Sequence, residues 1–300
     1  MFPHVLKGGV GSTKADEDFY NQWERSPFPD VYLGKMAAAL VESMKLGTGN
    51  QTDVLTISFS SPDLVGHAFG PGSQEVQDMY AHLDLTIGTL LTRLDELLGR
   101  NQYVIALSAD HGVTEIPEQL KARGRDSGRF DTRGLTDLLE RRTQFALGPG
   151  RHVARVSGND VYFAPGAYTQ LTATGAIDGV VTTLAAQPGV AKVYRGEELQ
   201  RSRESDDPTL RAAALSYVPG RSGDMVIVPK PGWMFTAAGT THGSANYEDQ
   251  HVPILLFGQG IKPGRYAQPV TPADVAPTLA QLCGIKLAKA DGRALHVALQ

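Results

Sequence analysis

One cysteine, Cys283, stands among 300 residues. This excludes an intrachain disulfide framework and any metal site built on a cysteine cluster. There is no excess of positive charge. The 28 Lys and Arg against 32 Asp and Glu leave a formal net charge of −4, so no nucleic-acid or anionic-membrane partner is expected. No apolar run reaches the length of a membrane helix. The opening, "MFPHVLKGGVGSTKADEDFY", lacks the apolar core of a secretory signal. It also lacks an obvious strand or helix. Internal repeats and low-complexity tracts are missing too. What remains, 41% hydrophobic and 20% charged, is the composition of an ordinary globular protein long enough for one large domain or two smaller ones.

Periodicity supplies the elements. Residues 33–46 are rich in helix formers and end near Gly47. "DVLTISFS" (53–60) and "YVIALSAD" (103–110) are β-branched and near-continuously apolar, which predicts strands covered on both faces. Between them, Val76, Met79, Leu83, Ile87, Leu90, Leu94 and Leu97 recur at three- and four-residue steps, predicting a helix from Ser73 to Leu98 with Ser73 as N-cap and Gly99 as its stop. Strand, helix, strand at this spacing reads as a crossover unit of an α/β sheet. From 126 to 222 the texture changes to short strands ("HVARVS", "DVYFAP", "VAKVY") alternating with helical pieces near 134–142 and 175–187. This is read as an inserted α+β subdomain, its charged stretch 195–207 forming a mobile, solvated tip. "GDMVIVPK" (223–230) and "HVPILLFG" (251–258) return to core-like strands. A last helix follows at "TPADVAPTLAQLCGI", with Thr271 and Asp274 as a capping pair and Pro272 in the first turn. The domain expectation is therefore a core of residues 1–125 and 223–300 around an insert of 126–222.

Three segments beside core strands hold the chemistry. "SSPDLVGHAFGP" places Asp63 and His67 four apart in what reads as a glycine- and proline-rich loop; "SADHG" places Asp110 beside His111; "GTTHGSANYEDQH" holds His242. Ligands of open α/β sheets sit outside the carboxyl ends of strands, so the first two segments are placed to converge. Carboxylate oxygen with imidazole nitrogen, and no thiolate, suits zinc or a similar divalent ion in a hydrolytic site. Gly66, Gly70, Gly112 and Gly243 are expected to allow the turns around these residues. Taken singly, each aspartate could instead cap a turn and each histidine pack.

Together and in this order, "DLVGHAFGP", "SADHG" and "THGS" resemble the alkaline phosphatase superfamily, in particular its nucleotide pyrophosphatase/phosphodiesterase-like branch, which includes bacterial alkaline phosphatases with a threonine nucleophile. "FPH", "RSGDMVIVPKPGW" and "DVAPTLAQLCGI" extend the resemblance over essentially the whole chain. It implies a three-layer α/β/α sandwich with an inserted α+β subdomain, and a two-zinc site. Asp63, His67 and His242 correspond to ligands of one zinc, Asp110 and His111 to ligands of the second. It further implies a phosphate-ester hydrolase working through a covalent phospho-enzyme on a small-molecule substrate, and export to the periplasm or beyond.

In that family another aspartate and a Thr or Ser nucleophile come before the "FPH" segment. Ser12 and Thr13 have no preceding strand and no helix opening after them, so neither is expected to be the nucleophile, which is expected upstream of Met1. The chain thus reads as the C-terminal part of a larger hydrolase and is expected to be inactive alone. Phosphodiesterase, phosphonate- or sulfate-ester hydrolase, or a non-catalytic metal-binding fragment are the alternatives. His82, His152, His251 and His296 are expected to be structural or exposed, and Cys283 an inert thiol on the last helix.

Overall fold

A computed structural model describes residues 3–300; Phe2 of the "FPH" motif lies outside the described residues. Contacts divide the chain into two units. One runs to Gly112 and resumes over His251–Gln300, and the other is Val113–Gln250.

The first unit contains α1 (Glu17–Glu24), α2 (Phe28–Met44), α3 (Ser61–Phe69), α4 (Gln74–Leu98) and β1 (Val104–Ser108). Asp16 caps α1 by accepting from the Phe19 amide at 2.9 Å. Ser73 caps α4 by accepting from Val76 at 3.1 Å, and Gly99 ends it, as its sequence predicts. Buried Val76 and Met79 of α4 pack against Val65 of α3, with Phe69 and Leu83 alongside. The apolar stripe of the long helix thereby fixes α3.

The second unit contains α5 (Pro117–Ala122), β2 (Gly128–Arg129), α6 (Thr132–Leu147), β3 (Val153–Ser157), β4 (Asp160–Phe163), α7 (Ala167–Ala173) and α8 (Ile177–Ala185). β5 (Val190–Arg195), α9 (Gly196–Gln200), α10 (Pro208–Ser216), β6 (Met225–Pro229), β7 (Trp233–Met234) and α11 (Tyr247–Gln250) follow. Four strands form an antiparallel sheet in the order β3-β4-β6-β5. Its core gathers Leu139, Val161, Leu171, Leu184, Met225 and Ile227, all fully buried. β2 and β7 form a short parallel pair. Between them Trp233 lies so close to Gly128 and Gly189 that a β-carbon at either would strike its ring, and its indole N–H donates to Asp126 at 3.1 Å.

The chain returns to the first unit with β8 (Ile254–Gly258) and α12 (Val275–Leu282). Before α12 the capping box of Thr271 and Asp274 is formed on both sides, and Asp274 also accepts from the Arg293 amide at 2.8 Å. β8 pairs antiparallel with β1, Val104 opposite Gly258 and Ser108 opposite Ile254.

Four sequence expectations change here. The strand at 223–230, expected to return to the core, is β6, and it pairs with β4 and β5 in the four-stranded sheet of the second unit. Residues 53–60 form no strand: among the described residues they have no ladder partner, and Val54 is 76% exposed. Apolar β-branched composition reports that a segment would suit a sheet, whereas a strand also needs a neighbour to bond with. The crossover from this segment to β1 is accordingly not formed. Nor are the two paired strands covered on both faces, since β1 is half-buried throughout and β8 alternates, with Leu255 and Phe257 exposed. Lastly, the charged stretch 195–207 is not a free tip. It includes α9, whose Leu199 is buried, and Arg195 pairs with Asp178 and Glu197, each at 3.1 Å.

Leu139 sits at the centre of the second unit's core with no exposed surface. Leu139→Ala is expected to lower that unit's unfolding free energy by about 2–5 kcal/mol through lost burial and a residual cavity. Urea unfolding followed by Trp233 fluorescence measures it, and a loss under ~1 kcal/mol would mean the core is not centred on this residue.

Candidate metal centre

Asp63 and His67 lie on a helix and not in a loop. α3 runs from Ser61 to Phe69, with Pro62 in its first turn and Gly70 (φ 86°) closing it. Proline is tolerated in a first turn because the amide it lacks would be unbonded there anyway. The four-residue spacing is therefore one helical turn, which stacks the two side chains on the same face. Gly66, expected to make a turn, is an ordinary helical residue; Gly243 (φ 96°) does adopt the left-handed backbone.

Within the first unit the end of β1 brings Asp110 and His111 to this helix. Asp63 Oδ1 lies 3.3 Å from His67 Nε2 and 3.8 Å from His111 Nε2, and His111 Nε2 lies 3.6 Å from Asp110 Oδ2. Donor atoms around a tetrahedral ion with bonds of about 2.0–2.1 Å stand about 3.3–3.4 Å apart. Asp63 and His67 are thus spaced like two ligands of one divalent ion, and His111 continues the run of donors from Asp63 to Asp110 at somewhat longer separations. The His111 ring is also set in the right tautomer. Its Nδ1 lies 3.0 Å from the Gly112 carbonyl, an acceptor only, so Nδ1 carries a proton, and in the neutral ring that leaves the lone pair on Nε2. Asp63, His67 and His111 are partly buried, whereas the Asp110 side chain is 89% exposed.

His242 belongs to the second unit, where it lines a cavity of about 160 Å³ with Thr114, Asn159, Phe235 and Asp249. The loop around it is held by buried polar groups. Asp249, 4% exposed, accepts from the Thr114 hydroxyl at 2.8 Å and from the Ser244 amide and hydroxyl at 2.9 and 2.6 Å.

Several supporting residues escaped the sequence reading. Asp30 in α2 is 2% exposed and accepts from the Ser61 amide at the start of α3 at 3.4 Å. Among the described residues no hydrogen-bond partner reaches its second oxygen. Burial raises its carboxyl above the ordinary value, with hydrogen bonds from Ser61 and Ser60 working the other way. His4 of the "FPH" motif meets Glu75 Oε1 at 2.9 Å and lies over Phe69 at 5.2 Å between ring centres, tying the opening of the chain to α3 and α4. No sequence periodicity marks either contact, and Asp30 precedes the helix expected over residues 33–46. Ser12 donates its hydroxyl to the Lys14 carbonyl at 2.7 Å in an exposed turn. His82 stays half-exposed on α4, 3.9 Å from Asp78.

The model of type I phosphodiesterases/nucleotide pyrophosphatases matches residues 10–251. The chain belongs to this family. Among curated relatives it is 32% identical over 265 residues to alkaline phosphatase PafA of Elizabethkingia meningoseptica, covering 87% of this chain and 48% of that one. To alkaline phosphatase PhoD of Zymomonas mobilis it is 34% identical over 91% of the chain and 50% of the relative. The crystal structure of wild-type PafA matches with a TM-score of 0.84 at 29% identity, over 99% of this chain and 59% of that one. Murine ectonucleotide pyrophosphatase/phosphodiesterase 5, also solved in an inactive form with AMP, shares the fold at a TM-score of 0.61. The family is one of phosphoric ester hydrolases, within the nucleotide pyrophosphatase/phosphodiesterase-like branch of the alkaline phosphatase superfamily, and the α/β fold expected from the motifs stands. The chain spans about half the length of the curated relatives it matches. Among the described residues no helix is long and apolar enough to cross a membrane.

The raised Asp30 carboxyl has a signed consequence. The folded state holds its proton to higher pH than the unfolded chain, so stability should fall as pH rises above the ordinary value of 3.8, until the folded group has also ionised. Asp30→Asn should remove that slope while keeping an oxygen for Ser61. Urea unfolding from pH 3.5 to 7 in both proteins tests this, and parallel curves would count against it.

Proposed function

We propose that this chain carries the metal-binding part of a phosphate monoester hydrolase. Asp63, His67 and His242 would hold one zinc, and Asp110 and His111 would contribute to a second. The observation that carries this reading is the run of contacts from His67 through Asp63 and His111 to Asp110, at 3.3, 3.8 and 3.6 Å in turn, with Nδ1 of His111 turned to the Gly112 carbonyl and Nε2 to the two carboxylates. Oxygen and nitrogen donors without thiolate suit zinc at a hydrolytic site.

Zinc bound there would supply Lewis acidity toward phosphoryl oxygens. The chain's own residues do the holding. α3 offers two donors from one face, β1 ends in two more, and the Gly112 carbonyl fixes the His111 ring. The family pattern assigns the covalent phospho-enzyme step to a Thr or Ser nucleophile N-terminal to the "FPH" motif, together with a further carboxylate for the second ion. Neither Ser12 nor Thr13 takes that role in this reading. The substrate is a small phosphate ester, and export to the periplasm or beyond accompanies the family reading.

Monoesters are favoured over diesters by one observation. The alkaline phosphatases match over 87–96% of the chain, whereas rat ectonucleotide pyrophosphatase/phosphodiesterase family member 7, at 33% identity, matches over 24%.

Asp63→Ala and His67→Ala should each weaken zinc binding by more than ~100-fold, because two remaining protein ligands rarely hold zinc against water. Dialysis with elemental analysis and competition against a chromophoric chelator give the stoichiometry and affinity. One ion should be tighter than the other, and a zinc content indifferent to both substitutions would overturn the assignment.

Residues 1–300 alone should hydrolyse p-nitrophenyl phosphate at a rate near background, since the covalent step needs a positioned nucleophile. Adding the family's N-terminal segment, in cis or as a separate chain, should restore turnover. Zinc-dependent turnover by the 300 residues that is lost in Ser12→Ala or Thr13→Ala would place the nucleophile in this chain instead.

A further inference from the structure

His242 lies in a loop, and a loop by itself is a poor support for a metal ligand. The residues on either side of it are pinned, however, and by the same two groups. Two positions before it, the Thr240 hydroxyl donates to the Thr114 carbonyl. Two positions after it, the Ser244 amide and hydroxyl both donate to Asp249 Oδ2, at 2.9 and 2.6 Å. The Thr114 hydroxyl closes the circuit by donating to Asp249 Oδ1 at 2.8 Å. Thr114, Thr240 and Asp249 are all buried, so water competes little for these bonds. Ser244 in turn accepts from the Asn246 amide at 3.1 Å, which shortens the free span of the loop. Gly243, at φ 96°, makes the reversal between the pinned positions.

Thr114 is also three residues beyond His111 in the chain. The group that pins the His242 loop is thus covalently tied to the segment that carries Asp110 and His111. We infer that Thr114 and Asp249 are positioning residues: together they brace the loop that carries His242. This rests on the reading of His242 as a ligand. The brace touches no substrate and acts through the histidine. Groups that orient a metal ligand typically cost 10–100-fold in metal affinity when removed.

The test uses the full 300-residue chain and zinc as the only probe. Thr114→Val removes the hydroxyl while keeping the carbonyl and shape, and Thr114→Ser restores the hydroxyl. Thr114→Val should weaken the zinc assigned to Asp63, His67 and His242 by about 10–100-fold, Thr114→Ser should return it to within about threefold, and Asp249→Asn should fall between. In a His242→Ala background, Thr114→Val should have no further effect, because the ligand it positions is gone. Equal weakening in both backgrounds would reveal general loosening and overturn the inference, as would a Thr114→Val affinity within twofold of wild type.

If His242→Ala alone leaves zinc affinity unchanged, the ligand assignment is what fails. The brace is then read separately, by amide hydrogen exchange of Ser244 and Asn246 in the metal-free chain. Faster exchange in Thr114→Val supports it, and unchanged exchange overturns it.

Discussion

One helical turn separates Asp63 from His67, and much else in the first unit serves to keep that turn where it is. A carboxylate and an imidazole stacked on one face form a pincer only if the helix beneath them is rigid. α3 is short, nine residues from Ser61 to Phe69, too short to persist without tertiary support. The support comes from three sides. Val65 packs on Val76 and Met79 of α4, Asp30 of α2 meets the first amide of α3, and His4 covers Phe69 while pairing with Glu75. A 25-residue helix, α4, thus packs against α2 and also beds the nine-residue α3.

The second unit handles the same problem differently. Its ligand candidate, His242, has no helix beneath it, and rigidity comes from buried hydrogen bonds instead of apolar packing. Asp249 accepts three of them. A buried carboxylate satisfied in this way holds a loop firmly, but the arrangement is intolerant, since removing one partner leaves a desolvated group without compensation. Packing around α3 yields to change more gradually.

What the sequence made legible follows from which signals are local. α4 was readable from its stripe and its Ser73 cap, α12 from the Thr271–Asp274 box, and β3, β4 and β5 from short β-branched runs between turns, whereas the apolar run of β6 looked like a return to the core and not like the partner of β4 and β5. The five ligand candidates were readable as motifs by resemblance, and four of them cluster within the first unit. α3 was missed because Pro62, Gly66 and Gly70 look like loop punctuation. In the structure the proline sits in a first turn, one glycine is helical, and only Gly70 stops the chain. Residues 53–60 were misread for the opposite reason: composition can mark a willing strand but not a partner. Asp30, Thr114 and Asp249 gave no warning, because their importance lies in contacts made 31 to 135 residues away.

Trp233 shows how tightly separate parts of the second unit can be interlocked. Its ring fills the room that β-carbons at Gly128 and Gly189 would need, and those two glycines stand 61 residues apart in the sequence. A side chain at either glycine requires the indole to move or shrink, and at Gly189, with φ 81°, the backbone also disfavours one. The three positions are therefore not free to drift one at a time, and a descendant of this chain that altered any of them would be expected to carry the matching change at the others.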